Sequence, residues 1–186
     1  MDLEGLVVED LLENTKSDKK RVKGKAKGNR TELSLCKLLT KHFGVDFTRS
    51  VGSGNRWSQA NLSETAKQVF SGDICVPDGF KWVIECKGGY ESDMHLENIL
   101  NGDEGMSRLD EFIQQVTKDA DYCGRKPIIL WKRNRKPWIA MYREFDLNEV
   151  SFDKFMVYGE WRIVNFETLL NGTIREAWYE KTNSSN

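Results

Sequence analysis

The sequence predicts an α/β domain in which a mixed β-sheet is flanked by helices. Three observations carry that expectation. Two stretches, about 29–43 and 106–122, place apolar residues at helical spacing. Between them the stretch 71–89, SGDICVPDGFKWVIECKGG, reads as a β-hairpin. After the second helix, PIILW at 127–131 is a continuous apolar run, the pattern of a strand buried on both faces.

Taken in order, residues 1–15 can form a short amphipathic helix with Leu3, Leu6, Val7, Leu11 and Leu12 on one side. Residues 16–28 are basic, Gly-containing and aperiodic, and read as a flexible arm; a solvated tail without a partner reads the same way. The first helix opens at Gly28-Asn29, runs to about Phe43 and stops at Gly44, with Leu35, Cys36, Leu38, Leu39 and Phe43 as its apolar stripe. Val45 to Val51 reads as a strand leading into the small-residue loop Gly52-Ser53-Gly54-Asn55-Arg56, and about 55–70 as an irregular or helical insertion. In the hairpin, Ile74 to Val76 and Lys81 to Ile84 are the strand runs, and Pro77-Asp78-Gly79 supplies the turn chemistry.

Residues 88–105 are acidic and Gly-punctuated, a long loop or lid. The second helix has Leu109, Phe112, Ile113 and Val116 as its stripe and Gly124 as its stop. KRNRK at 132–136 turns PIILW into a strand at Trp138 to Tyr142. A strand pair, Phe155 to Tyr158 and Trp161 to Phe166, and a short helix from Glu167 complete the expectation. The division is therefore a terminal helix and basic arm over 1–28, one domain over 29–180, and a disordered tail over 181–186.

With 186 residues, 39% hydrophobic and 31% charged, the chain is long enough for one domain with a substantial core. Its apolar runs fall far short of the roughly 18 residues a membrane helix needs. The acidic start MDLEGLVVEDLLEN lacks the basic end and long apolar core of a signal peptide, so a cytoplasmic protein with no membrane partner is expected. The four cysteines show no C-x-x-C spacing and read as buried free thiols. Two histidines, His42 and His95, argue against histidine triads and His-rich metal sites. The net charge of −1 does not advertise nucleic-acid binding, yet Lys16 to Arg30 and Lys132 to Lys136 are dense basic runs that can engage phosphates.

The hairpin carries the chemistry. Glu85 and Lys87 lie two apart on one strand and share a face. Asp73 begins the partner strand, and an odd-length turn puts it on that face too. Two close carboxylates repel unless a cation lies between them, and oxygen donors on a small hairpin suit Mg²⁺ or Mn²⁺. A cation there would activate water and polarise a phosphoryl oxygen, with the lysine beside it neutralising charge on the phosphate. The bland reading is an exposed ion pair of little energetic consequence. Glu32, at the edge of the first helix's apolar stripe, offers a third carboxylate; its alternative role is in a near capping box with Asn29.

Together these pieces resemble the PD-(D/E)XK nuclease superfamily, and within it the archaeal-type Holliday junction resolvases. The matching stretches come in order: TELSLCKLL, TRSVGSG, GDICV, WVIECK, MSRLDEF, then KPIILWK with PWIAM, covering about Gly28 to Tyr142. The resemblance implies a restriction-endonuclease-like sheet, Glu32, Asp73 and Glu85 as metal-binding carboxylates, and Lys87 as the catalytic lysine. It further implies a DNA-backbone contact at Arg49, a functional serine at Ser53 in a mobile loop, and a homodimer that cuts four-way junctions symmetrically. Gln114 and Gln115 face the site if the second helix packs as in that family. Lys25, Lys27 and Arg30 of the basic arm, with Arg56 of the loop, are the remaining candidate DNA contacts.

The function expected is thus a Mg²⁺-dependent, structure-selective DNA endonuclease, a junction resolvase in its specific form, with Mn²⁺ able to substitute. A restriction-like or nicking enzyme acting on duplex or flap DNA is the alternative within the same fold. A non-catalytic DNA-binding accessory protein would explain the basic runs but not the converging carboxylates.

Overall fold

The computed structural model describes residues 28–50, 63, 68–89, 107–147 and 152–180. Along them run α1 (28–43), β1 (Thr48–Arg49), β2 (Ile74–Cys75), β3 (Trp82–Gly88) and α2 (Ser107–Cys123). β4 (Lys126–Lys132), β5 (Trp138–Arg143), β6 (Met156–Tyr158), β7 (Trp161–Asn165) and α3 (Phe166–Gly172) follow.

Five strands form one mixed sheet in the order β3-β4-β5-β7-β6, and β1 with β2 makes a separate two-stranded piece. β3 and β4 are parallel, Ile84 facing Ile128, with α2 between them in sequence. The other neighbours are antiparallel. A parallel pair needs a crossover, and α2 supplies it while packing on both strands. The interiors of β3 and β4 are buried, as their apolar runs require.

The sheet separates two layers. Leu35, Leu39 and Phe43 of α1 and Phe166, Leu169 and Leu170 of α3 pack with Trp82, Ile84 and Cys86 of β3. On the opposite face Leu109, Phe112, Val116 and Ala120 of α2 pack with Val83, Ile129, Trp131 and Met141. Strand side chains alternate, so Glu85 and Lys87 follow Val83 onto the α2 face. The architecture is the α/β fold of a mixed sheet flanked by helices.

Three local expectations need correction. The strand expected over 45–51 shrinks to Thr48–Arg49, and that over 74–76 to Ile74–Cys75. Those two pair with each other, Arg49 opposite Ile74, rather than β2 forming a ladder with β3. Of the expected hairpin, the Asp73 N–H still donates to the Ile84 carbonyl at 2.9 Å. The ladder stops there because Pro77 has no N–H to give and starts a tight turn, closed by Phe80 N–H on the Pro77 carbonyl at 3.1 Å. The start of β3 is taken instead by the C-terminal segment. Phe80 bridges Tyr179, and Lys81 N–H donates to the Trp178 carbonyl at 2.8 Å.

The tail expectation fares better. β6 and β7 extend the sheet, and α3 starts at Phe166 with Asn165 Oδ1 capping Thr168 N–H at 3.0 Å. KRNRK forms the exposed β4–β5 turn, and Trp138 and Trp161 are buried packing residues. None of the four cysteines is in a disulfide, and Cys36 and Cys86 are buried. The expected terminal helix and arm before residue 28, the insertion around Trp57, most of the 88–105 loop and the 181–186 tail lie outside the described residues. No helix among the described residues is long and apolar enough to cross a membrane.

Candidate active site

Asp73 is held from two sides. Its carbonyl accepts Ser50 N–H at 2.9 Å and its own N–H donates to Ile84, so β1 and β3 fix its backbone together. The preceding Gly72 makes that approach possible: with φ +77°, a Cβ there would lie 2.7 Å from the Ile84 carbonyl oxygen. The Asp73 side chain turns toward β3 and its Oδ2 accepts Cys86 N–H at 2.8 Å.

Glu85 is 1% exposed, deep in the middle of β3. One carboxylate oxygen is ion-paired to Lys87 Nζ, while Oε2 has no hydrogen-bond partner among the described residues. Burial pushes Glu85 up to about 8, and the neighbouring Asp73 charge pushes the same way against the opposing pull of Lys87. Burial likewise raises Asp73, to about 6, against the Cys86 amide and Lys87. Two close buried carboxylates are a donor set whose chemistry fits a hard divalent cation.

Lys87 is positioned by α2. Its Nζ donates to Gln115 Oε1 at 3.2 Å and sits 4.5 Å from the centre of the Phe112 ring. The sequence places Phe112 in the apolar stripe of α2 but not at the site, and gives no role to Asp119, whose charge also acts on Glu85. Their spacing from Gln115 along one helix, three and four residues, was the available signal.

The remaining predicted residues divide. Glu32 is not gathered with the other two carboxylates: among the described residues no group of three or more His, Cys, Asp or Glu is close enough to hold a metal ion. α1 packs on the opposite sheet face, and Glu32 Oε2 lies 2.5 Å from Arg49 Nε. Its charge still contributes to raising Asp73. Thr31 beside it packs on Gly88, where a Cβ would fall 2.5 Å from the threonine hydroxyl. The near capping box does not form as read, since Asn29 already lies inside α1 and its Oδ1 accepts from Arg49 Nη2 at 2.9 Å. Arg30 is exposed on the first turn of α1. Lys25, Lys27, Ser53 and Arg56 lie outside the described residues.

A mixed sheet with Glu-x-Lys on one strand, β3, and an aspartate hydrogen-bonded to that strand is the arrangement of the PD-(D/E)XK nuclease class. The chain belongs to the family described as "Phage putative PDDEXK endonuclease", whose pattern matches residues 23–177. That match runs past Tyr142, so β6, β7 and α3 are part of what the family shares. The chain is 27% identical over 122 residues to Protein D14 of Escherichia phage T5, covering 63% of this chain and 69% of that protein. No solved structure matches significantly.

Proposed function

We propose that the protein is a divalent-metal-dependent DNA endonuclease, and that its substrate is a branched four-way junction cut by a homodimer. The convergence of Asp73, Glu85 and Lys87 at one buried point carries the nuclease part of this reading. Junction choice, dimerisation and a cytoplasmic location are supported by sequence resemblance and composition.

Asp73 and Glu85 would hold Mg²⁺, or Mn²⁺ in its place. When bound, the cation supplies positive charge for the phosphoryl oxygens and lowers the pKa of water at the site. Both carboxylates must shed their protons to receive it. Lys87 then keeps a full ammonium facing the reacting phosphate, where it orients the attacking water and offsets developing negative charge. Gln115 and Phe112 limit the directions in which that ammonium can point. In-line attack breaks the P–O3′ bond and leaves a 5′ phosphate, as the resemblance implies. Lys25, Lys27, Arg30, Arg49 and Arg56 would contact the DNA backbone and Ser53 the neighbourhood of the scissile bond, giving strong salt dependence.

A second reading is favoured by the family's description, which names an endonuclease and no junction. It is a restriction-like or nicking enzyme on duplex or flap DNA. Equal concentrations of a labelled four-way junction, a flap and a linear duplex, each with Mg²⁺, separate the two. Paired symmetric nicks in the junction alone support a resolvase, whereas equal cutting of the linear duplex assigns the general endonuclease.

A further inference from the structure

Glu32 stands beside the site but is committed elsewhere. Arg49 Nε meets its Oε2 at 2.5 Å, and Arg49 Nη2 is steadied by Asn29 Oδ1 at 2.9 Å. The helix end is close, because Thr31 packs directly on Gly88, the residue after Lys87. Arg49 lies in the short strand pair that Asp73 leads into, and its neighbour Ser50 donates to the Asp73 carbonyl. The arginine side chain is 27% exposed and that of the glutamate 12%, so an incoming group meets the cation first. A DNA phosphate offers guanidinium the same forked acceptor geometry as a carboxylate.

We infer that Arg49 is a latch on Glu32: in the DNA-free protein it holds the helix carboxylate away from Asp73 and Glu85, and a backbone phosphate that captures Arg49 releases Glu32 to the cation. Arg49 is then a positioning residue that acts through Glu32. The inference rests on the proposed metal-binding role of Asp73 and Glu85. Substrate and cation bind with positive coupling, each raising the other's affinity by the same factor. The metal site is therefore weak until DNA arrives, which ties assembly of the third ligand to the presence of substrate.

The test is Mn²⁺ binding by isothermal titration calorimetry to the DNA-free full chain, with folding followed by circular dichroism. Asp73→Asn serves as the control for the site itself. The wild type binds Mn²⁺ weakly, and Asp73→Asn abolishes that binding. Arg49→Gln binds about tenfold more tightly, a coupling of ordinary size. Arg49→Lys, which keeps a cation against Glu32, stays within about threefold of the wild type. In a Glu32→Gln background, Arg49→Gln changes nothing, because no carboxylate is left to release. Asn29→Ala removes the second anchor of the guanidinium without altering any charge, and raises affinity by a smaller factor. This arm keeps the test alive if Arg49→Gln does not fold. Unchanged affinity in both Arg49→Gln and Asn29→Ala overturns the latch while leaving the metal site standing. So does a gain that persists in the Glu32→Gln background, since that is charge removal alone. No Mn²⁺ binding by any form, Asp73→Asn included, overturns the metal-site reading and the latch with it.

Discussion

Lys87 and Glu85 show how one strand can present opposite charges to a single reacting group. The ammonium opposes the burial that raises the Glu85 carboxyl but does not overcome it. Replacing Lys87 by alanine should lower cleavage by about 10³-fold or more, the scale of losing a charge-stabilising group. Gln115→Ala should cost about tenfold, because Phe112 and Glu85 still hold the lysine. Steady-state cleavage rates check both, and a Gln115→Ala loss equal to that of Lys87→Ala would refute the supporting role. The acid pair also predicts a pH dependence of stability. Without metal, the folded chain keeps protons on Glu85 up to about 8, against 4.5 normally, and on Asp73 up to about 6, against 3.8. That contribution is complete below about pH 4 and is lost as pH rises through 6 and 8. Urea denaturation in chelator should therefore show the wild type losing stability relative to Glu85→Gln between pH 4.5 and 8. Added Mg²⁺ should offset more of the loss at the upper end. A difference that is flat across this window would mean that the pair is not buried as described.

At the scale of elements, the site depends on a close backbone approach rather than on a regular hairpin. Gly72 lets the chain before β2 lie against β3, with Asp73 bonded to both Ile84 and Cys86. Gly72→Ala meets a forbidden contact and an unfavourable φ together, and should destabilise by about 2–3 kcal/mol while displacing Asp73. Equilibrium denaturation measures the first effect, and loss of Mn²⁺ binding the second. The neighbouring strand pair also marks the limit of what the sequence tells. The strong periodic elements, α1, α2, β3 and β4, were legible because apolar spacing alone specifies them. Strand alternation put Glu85 and Lys87 on one face, and Asp73 joined them only through an assumed hairpin with an odd-length turn. The break in the β2–β3 ladder was not legible, because a C-terminal segment far along the chain takes the partner position at the start of β3. The pairing of Glu32 with Arg49 was hidden for a similar reason: both residues read as contacts to absent groups, and the fold satisfies them with each other.

For the whole molecule, the last part of the chain clamps the start of β3. Trp178 is buried among Phe43, Phe80, Trp82 and Phe166, and the Ala177 carbonyl accepts the Trp82 indole N–H at 2.9 Å. Trp178→Ala should cost about 3–5 kcal/mol of stability. Cleavage should remain within a few-fold below the melting temperature, since the active-site end of β3 is at the other end of the strand. Proportional loss of activity and stability at a temperature where the variant is folded would show that clamp and site are coupled. The family match through residue 177 agrees with a C-terminal segment that belongs to the domain.

Asp73, Glu85 and Lys87 stand or fall together as the proposed metal-dependent nuclease site. The most direct measurement follows cleavage of a labelled four-way junction with Mg²⁺ and with chelator, for the wild type and Asp73→Ala, with junction binding measured in parallel by gel shift. The wild type should cut only with Mg²⁺, and Asp73→Ala should bind the junction without cutting it. Cleavage by Asp73→Ala at the wild-type rate, or by the wild type in chelator, would contradict that assignment.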